Sequence, residues 1–154
     1  MERVDFYVLK SSQPNQRFNF ACRLTEKAYL RDLRVVVLSD SAADAQALDE
    51  MLWTFNERSF VPHALVRNAD SCEASTPVHL TEDLRHIDAE RIGKTDLLVN
   101  LSDRLPVGVE RFSRVAEIID ADDERRRLGR ERFKAYRDLK VTLETHQLDD
   151  IAEV

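Results

Sequence analysis

The chain is short of the residues that loosen or staple a fold. Its 154 positions hold three glycines, four prolines, two cysteines and one tryptophan. So few glycines and prolines argue against disorder and against a loop-dominated architecture. Cys22 and Cys72 lie far apart and fit no C-x-x-C or zinc spacing, so two reduced thiols are expected. No run approaches the ~20 apolar residues a membrane helix requires. MERVDFYVLK also lacks the apolar core of a signal peptide. A cytoplasmic protein with no membrane partner is the expectation. The net charge of −6 disfavours coating nucleic acid with the whole surface but leaves room for a local basic patch.

Catalysis has equally little to stand on. A phosphate site needs glycines after the first strand, because only they let backbone N–H groups close on the anion. Here that turn reads KSSQPNQRF and the turn after the second strand reads SDSAAD. No G-x-S-x-G elbow occurs. Of the four histidines, His79 and His86 would align only on a helix, yet residue 79 lies in a strand-like run. Solvent-facing or hydrogen-bonded histidines are therefore expected, with no metal. Asp122 and Asp123 read as a helix start, Asp149 and Asp150 as a solvated tail. A non-enzymatic protein without a cofactor follows.

What is present is ordinary globular material, 43% hydrophobic and 34% charged, at a length that makes one domain. DFYVLK (5–10), RVVVLS (34–39), VHLT (78–81), DLLVNLS (96–102) and RVAEIIDA (114–121) have strand composition. Residues 16–31 carry a core-facing stripe at helical spacing. Ser41 opens a second helix, with Asp44 three residues on as a capping partner and Ala45, Leu48, Leu52 and Phe55 as its buried stripe. RLPVGVERF reads as a turn or a short helical piece. DDERRRLGRERFKAYRDL, acidic then basic, complements the helix dipole and is the clearest helix. KVTLETHQLDDIAEV reads as a loose helix or a partly ordered tail. Strands alternating with helices predict an α/β, Rossmann-like parallel or mixed sheet with helices on both faces and no nucleotide-binding loop. The domain is placed at 1–140, and the order of a tail at 141–154 is left open.

Two stretches stand out as surfaces. In LDEMLWTFNERSFVPHAL (48–65), Trp53 sits at the margin of a helical stripe and Phe60 precedes Val61, Pro62 and His63. Pro62 cannot donate to a ladder, so FVPHALV is demoted to an edge or a bend. Aromatics beside an unpaired edge suit a protein interface; burial of both rings in the domain's own core is the alternative. The second stretch is residues 125–137, with seven basic side chains against one acid, Glu131. Arg126, Arg130, Phe133, Lys134 and Arg137 share one side of that helix. They would hold the carboxylates of an acidic peptide while the ring receives an apolar side chain. A solvated charged face with Phe133 tucked into the core is the competing reading. Gly129 costs about 1 kcal/mol against alanine in a helix interior; close approach of another backbone and neutral drift are equally good explanations for it.

These blocks carry a family resemblance. FYVL near the N-terminus, LDEMLWTFNERSFVPHAL in the middle and GRERFKAYR late in the chain resemble the chi subunit of bacterial DNA polymerase III holoenzyme. They stand in that family's order and spacing and, with the strands between, span nearly the whole chain. The middle block, L-D-x-x-L-W followed by S-F-V-P-H, is the most specific. The resemblance implies a Rossmann-like fold without nucleotide chemistry and two partners. One is the psi subunit, which tethers chi to the clamp loader; Trp53, Phe60, Val61 and Pro62 fall in the part that meets it. The other is the acidic, phenylalanine-ended tail of single-stranded DNA-binding protein. Arg126, Arg130, Phe133, Lys134 and Arg137 belong to the helix that meets that tail.

Two departures stand out. Phe133 occupies a position where tyrosine or tryptophan is common. The segment between Ile119 and Arg130 is shorter than in some members, so the pocket's other wall is unassigned. The implied protein is a replisome adaptor, monomeric alone and heterodimeric with psi, that reaches DNA only indirectly. LDDI near the C-terminus, acidic then apolar, could fold back on the basic helix as a ligand mimic. A degenerate α/β enzyme for a phosphorylated small molecule, or a direct single-stranded DNA binder, are the rival readings.

Overall fold

In the computed structural model, which describes residues 1–13 and 15–148, one seven-stranded sheet runs through the molecule. Its strands are β1 (Arg3–Leu9), β2 (Val35–Leu38), β3 (His63–Leu65), β4 (Val78–Thr81), β5 (Leu97–Asn100), β6 (Arg114–Ile119) and β7 (Thr142–Leu148). Their order is β3-β4-β2-β5-β6-β1-β7. Every pairing is parallel, which decides between the parallel and mixed alternatives. The helices are α1 (Gln16–Tyr29), α2 (Ala42–Thr54), the single turn α3 (Ala89–Ile92) and α4 (Asp123–Asp138).

Helices cover both faces, so the central strands read as continuous apolar runs. In VVVL of β2, Val35 and Val37 join Phe20, Ala21, Leu48 and Leu52 of α1 and α2 in one cluster. Val36 and Leu38 belong to the opposite cluster, with Ile92 of α3 and Tyr136 of α4. Ser41 caps α2 as expected, its hydroxyl accepting from the Asp44 N–H at 3.1 Å. Pro62 stands just before the three-residue β3, which is the outer strand on its side. No described helix is long and apolar enough to cross a membrane.

The other outer strand corrects the sequence reading. Residues 142–148, expected as a loose helix or a partly ordered tail beyond a domain ending at 140, pair with β1 along its whole length, from Arg3↔Thr142 to Leu9↔Leu148. The local pattern hides this strand because an edge strand is half solvated and its pairing comes from the far end of the chain. Charge stitches it in place. The Asp5 carboxylate accepts from Arg3, from Arg114 at 3.2 Å and faces His146 Nε2 at 2.9 Å, while Arg3 also reaches Glu144 at 2.6 Å. Charged side chains along an edge discourage pairing with foreign strands. The suggested fold-back of LDDI concerns Asp149 onward and lies outside the described residues.

Candidate functional surfaces

The orientation of α4 follows from its caps and from one buried cluster. Asp122 accepts from the Arg125 N–H at 2.9 Å. Asp123 and Glu124 lie in the first turn and Arg137 in the last, matching the helix dipole at both ends. The inward face is polar at its centre. Glu117 of β6 is 0% exposed. It accepts from Arg132 Nε at 3.1 Å, the Tyr136 hydroxyl at 2.7 Å and Asn100 Nδ2 at 2.9 Å. Burial pushes the Glu117 carboxyl above its ordinary range, against the opposing pull of Arg132, Asn100 and Tyr136. Burial, with the charge of Glu117, likewise raises the Tyr136 phenol. Arg132 is therefore an internal partner and contributes nothing to the outer basic face.

With Arg132 and Tyr136 turned inward, Arg126, Arg130 and Phe133 face outward over the far edge of the sheet. They line a groove of about 280 Å³. Its other wall, which sequence alone left unassigned, is made by Phe6 and Val8 of β1, Ile119 of β6, and Thr145 and Gln147 of β7. Phe133 is half-buried, its ring 5.3 Å from that of Phe6, so it forms an apolar floor. Arg126 is braced from below, donating to the carbonyls of Asp120 at 3.1 Å and Leu9 at 3.4 Å. Arg130 is exposed and has no ion-pair partner among the described residues. Lys134 and Arg137 are exposed but stand outside the groove lining. Gly129 lines the groove too. A Cβ there would collide with Ile119 Cδ1, so the glycine admits a side chain of β6 where the sequence suggested a foreign backbone.

The second surface is at the opposite edge. Trp53 is 53% and Phe60 62% exposed, with ring centroids 5.5 Å apart. Pro62 is partly covered. Val61 is 1% exposed and packs into the α1–α2 core, so its side chain anchors the loop from within. The sequence placed all four residues on one surface; the structure brings the two rings together there and takes Val61 away. His63, not singled out as a site residue, lies directly beneath, its ring 4.6 Å from Trp53.

Three further clusters lie elsewhere among the described residues. The carboxyl ends of the strands, where open α/β folds bind ligands, carry Asp40, Asp103 and Asp120. Burial and the neighbouring charge of Asp40 raise the Asp103 carboxyl, while Arg17 and Arg125 are engaged with Asp120. Asp5, Glu144 and His146 converge closely enough to hold a cation, but two arginines already occupy the Asp5 oxygens and oppose a further positive charge. His79 is buried and accepts from the Glu73 N–H at 3.4 Å, and His86 meets the Thr81 hydroxyl at 3.0 Å; the two do not form a pair.

A groove with a cationic rim at one edge and an aromatic pair at the other coincide with the late and the middle of the three blocks that carried the resemblance. The family profile described as "DNA polymerase III chi subunit, HolC" matches residues 1–144. The chain belongs to that family. Its similarity to the DNA polymerase III subunit chi of Pseudomonas aeruginosa is 36% identity over 98% of this chain and all of the relative. The chi subunit of Escherichia coli is 26% identical over 94% of this chain and 97% of its own length. That of Haemophilus influenzae is 26% identical over 87% and 89%. Membership makes the protein a chi subunit, an accessory subunit of DNA polymerase III in DNA replication. Groove-lining residues that sequence reasoning did not assign to a site are Phe6, Val8, Ile119, Thr145 and Gln147.

Proposed function

We propose that this chi subunit is a non-enzymatic coupler. Its β3 edge docks the psi subunit of the clamp loader, and its α4–β7 groove takes the acidic, phenylalanine-ended tail of single-stranded DNA-binding protein. The observation that carries the reading is the groove: Arg130, with no ion-pair partner among the described residues, and a braced Arg126 rim an apolar floor made by Phe133 and Phe6. Carboxylates and a terminal aromatic side chain are the complement of that surface. Supporting it is the separation of the two surfaces. They flank the two outer strands of a seven-stranded sheet, and the six strand spacings between those strands amount to ~29 Å. Two partners can thus be held at once, each raising the effective concentration of the other.

A labelled acidic peptide ending in phenylalanine tests the groove by fluorescence anisotropy. Binding is expected in the micromolar range, weakening with added salt. Arg130→Ala is expected to weaken it about tenfold or more, the worth of a charge-assisted contact. Equal binding by wild type and Arg130→Ala overturns the groove assignment.

A further inference from the structure

The histidine under the aromatic pair makes an unusual set of contacts. The His63 side chain is fully buried against α2. Its Nδ1 lies 2.7 Å from the Val61 carbonyl oxygen. Its Nε2 lies 3.1 Å from the Asp49 carbonyl oxygen and 3.3 Å from the Asp49 carboxylate. Both ring nitrogens therefore face oxygen atoms that can only accept. A neutral imidazole has one N–H and would set the lone pair of its other nitrogen against an oxygen; a protonated ring donates on both sides. The remaining neighbours agree with a positive charge. The indole of Trp53, at 4.6 Å between ring centroids, presents a π-system that attracts a cation. Asp49 is the acidic partner contributed by α2. β4, on which the strand bearing His63 pairs, places Val78 opposite it.

We propose that His63 is the positioning residue of the aromatic surface and works as an imidazolium. It clamps the loop of Phe60–His63 to α2, so that Trp53 and Phe60 are presented together only while the ring is protonated. Val61 ties the same loop to the core, and the carbonyl next to that anchor is what His63 Nδ1 grips. Losing the proton costs one of the two clamps, releases the loop from α2 and parts the two rings. This deepens the reading of that edge as a docking surface and rests on it for its biological meaning, but the clamp can be measured without a partner.

The chain has a single tryptophan, and protonated imidazole in contact with indole quenches its emission. Trp53 fluorescence is followed between about pH 5 and 8, the span in which histidine side chains change charge, in wild type, His63→Gln and Asp49→Asn. In wild type a sigmoidal rise in emission with pH is expected. His63→Gln should be flat and bright. Asp49→Asn keeps the backbone acceptor and loses the negative charge, so its midpoint should move to lower pH. Thermal melts of the three proteins establish that each is folded. The same pH profile in wild type and His63→Gln overturns the proposal, as does an unmoved midpoint in Asp49→Asn. Co-purification with the psi subunit, repeated at both ends of the pH span, separates the clamp from its use. Titrating emission without psi binding at either pH leaves the clamp standing and removes the docking reading. Psi binding that is strong at low pH and lost at high pH supports both.

Discussion

Arg132→Met puts the most weight on the buried cluster that aims α4. The arginine gives Glu117 its only cationic partner in that cluster, and the carboxyl has no solvent to fall back on. Breaking such a pair from one side leaves an uncompensated charge and costs about 3–5 kcal/mol. The lower end, about 3 kcal/mol, applies, since Tyr136 and Asn100 still donate to Glu117 and Arg132 Nη1 is itself buried without an acceptor. For a chain of this length about 3 kcal/mol corresponds to a fall in Tm of roughly 6–12 °C. The pH dependence gives the sharper test. Burial already holds the Glu117 carboxyl above its unfolded value of about 4.3, so the folded state binds that proton more tightly than the unfolded one. The stability linked to it is present below the unfolded value and lost as pH rises through the folded one. Without Arg132 the upward push strengthens, and the variant loses more stability at pH 8 than at pH 5. Urea denaturation of wild type, Arg132→Met and Arg132→Met/Glu117→Gln at both pH values measures this. The double variant should recover much of the loss at pH 8. A single-variant loss below about 1 kcal/mol, or one equal at the two pH values, refutes the role assigned to the pair.

Two further tests use the surfaces. Phe60→Ala should leave urea stability within about 0.5 kcal/mol of wild type, as expected of an exposed side chain, while abolishing co-purification with psi. Val61→Ala, at the buried neighbour, should instead cost about 1–3 kcal/mol, so similar stabilities for the two variants would contradict their assigned depths. Gly129→Ala gains about 1 kcal/mol of helix propensity but meets Ile119 Cδ1. Combined with Ile119→Val, which removes that atom, the alanine should become stabilising. A double-mutant cycle with no coupling would mean that the glycine leaves no room that Ile119 needs.

Much of the fold was legible because local signals and tertiary demands agree. The serine cap of α2, the unbroken VVVL of a doubly covered strand, and the acid-to-base gradient of α4 each state their own structure. Trp53, Phe60, Arg130 and Phe133 were legible as candidates because large rings next to a proline or among arginines are hard to place wholly inside. Depth was not legible. Val61 sits between Phe60 and Pro62 yet points into the core, a matter of which way one loop residue turns. Arg132 carries the same side chain as Arg130 two positions earlier, and only its partner Glu117 on another element distinguishes them. β7 was missed outright. Its stability comes from pairing with β1, a contact that spans nearly the whole chain and leaves no periodic trace in Thr-Leu-Glu-Thr-His-Gln-Leu.

The same pairing sets an order of events during synthesis. β7 is the seventh strand to leave the ribosome and lies beside the first, and it supplies Thr145 and Gln147 to the groove. A nascent or prematurely terminated chain ending before residue 142 has Arg126, Arg130, Phe133 and the β1 and β6 residues of the opposing wall but lacks Thr145 and Gln147. Under the coupling role proposed above, fragments cut short of β7 present an incomplete groove and are expected to bind an acidic peptide more weakly than the chain that carries β7.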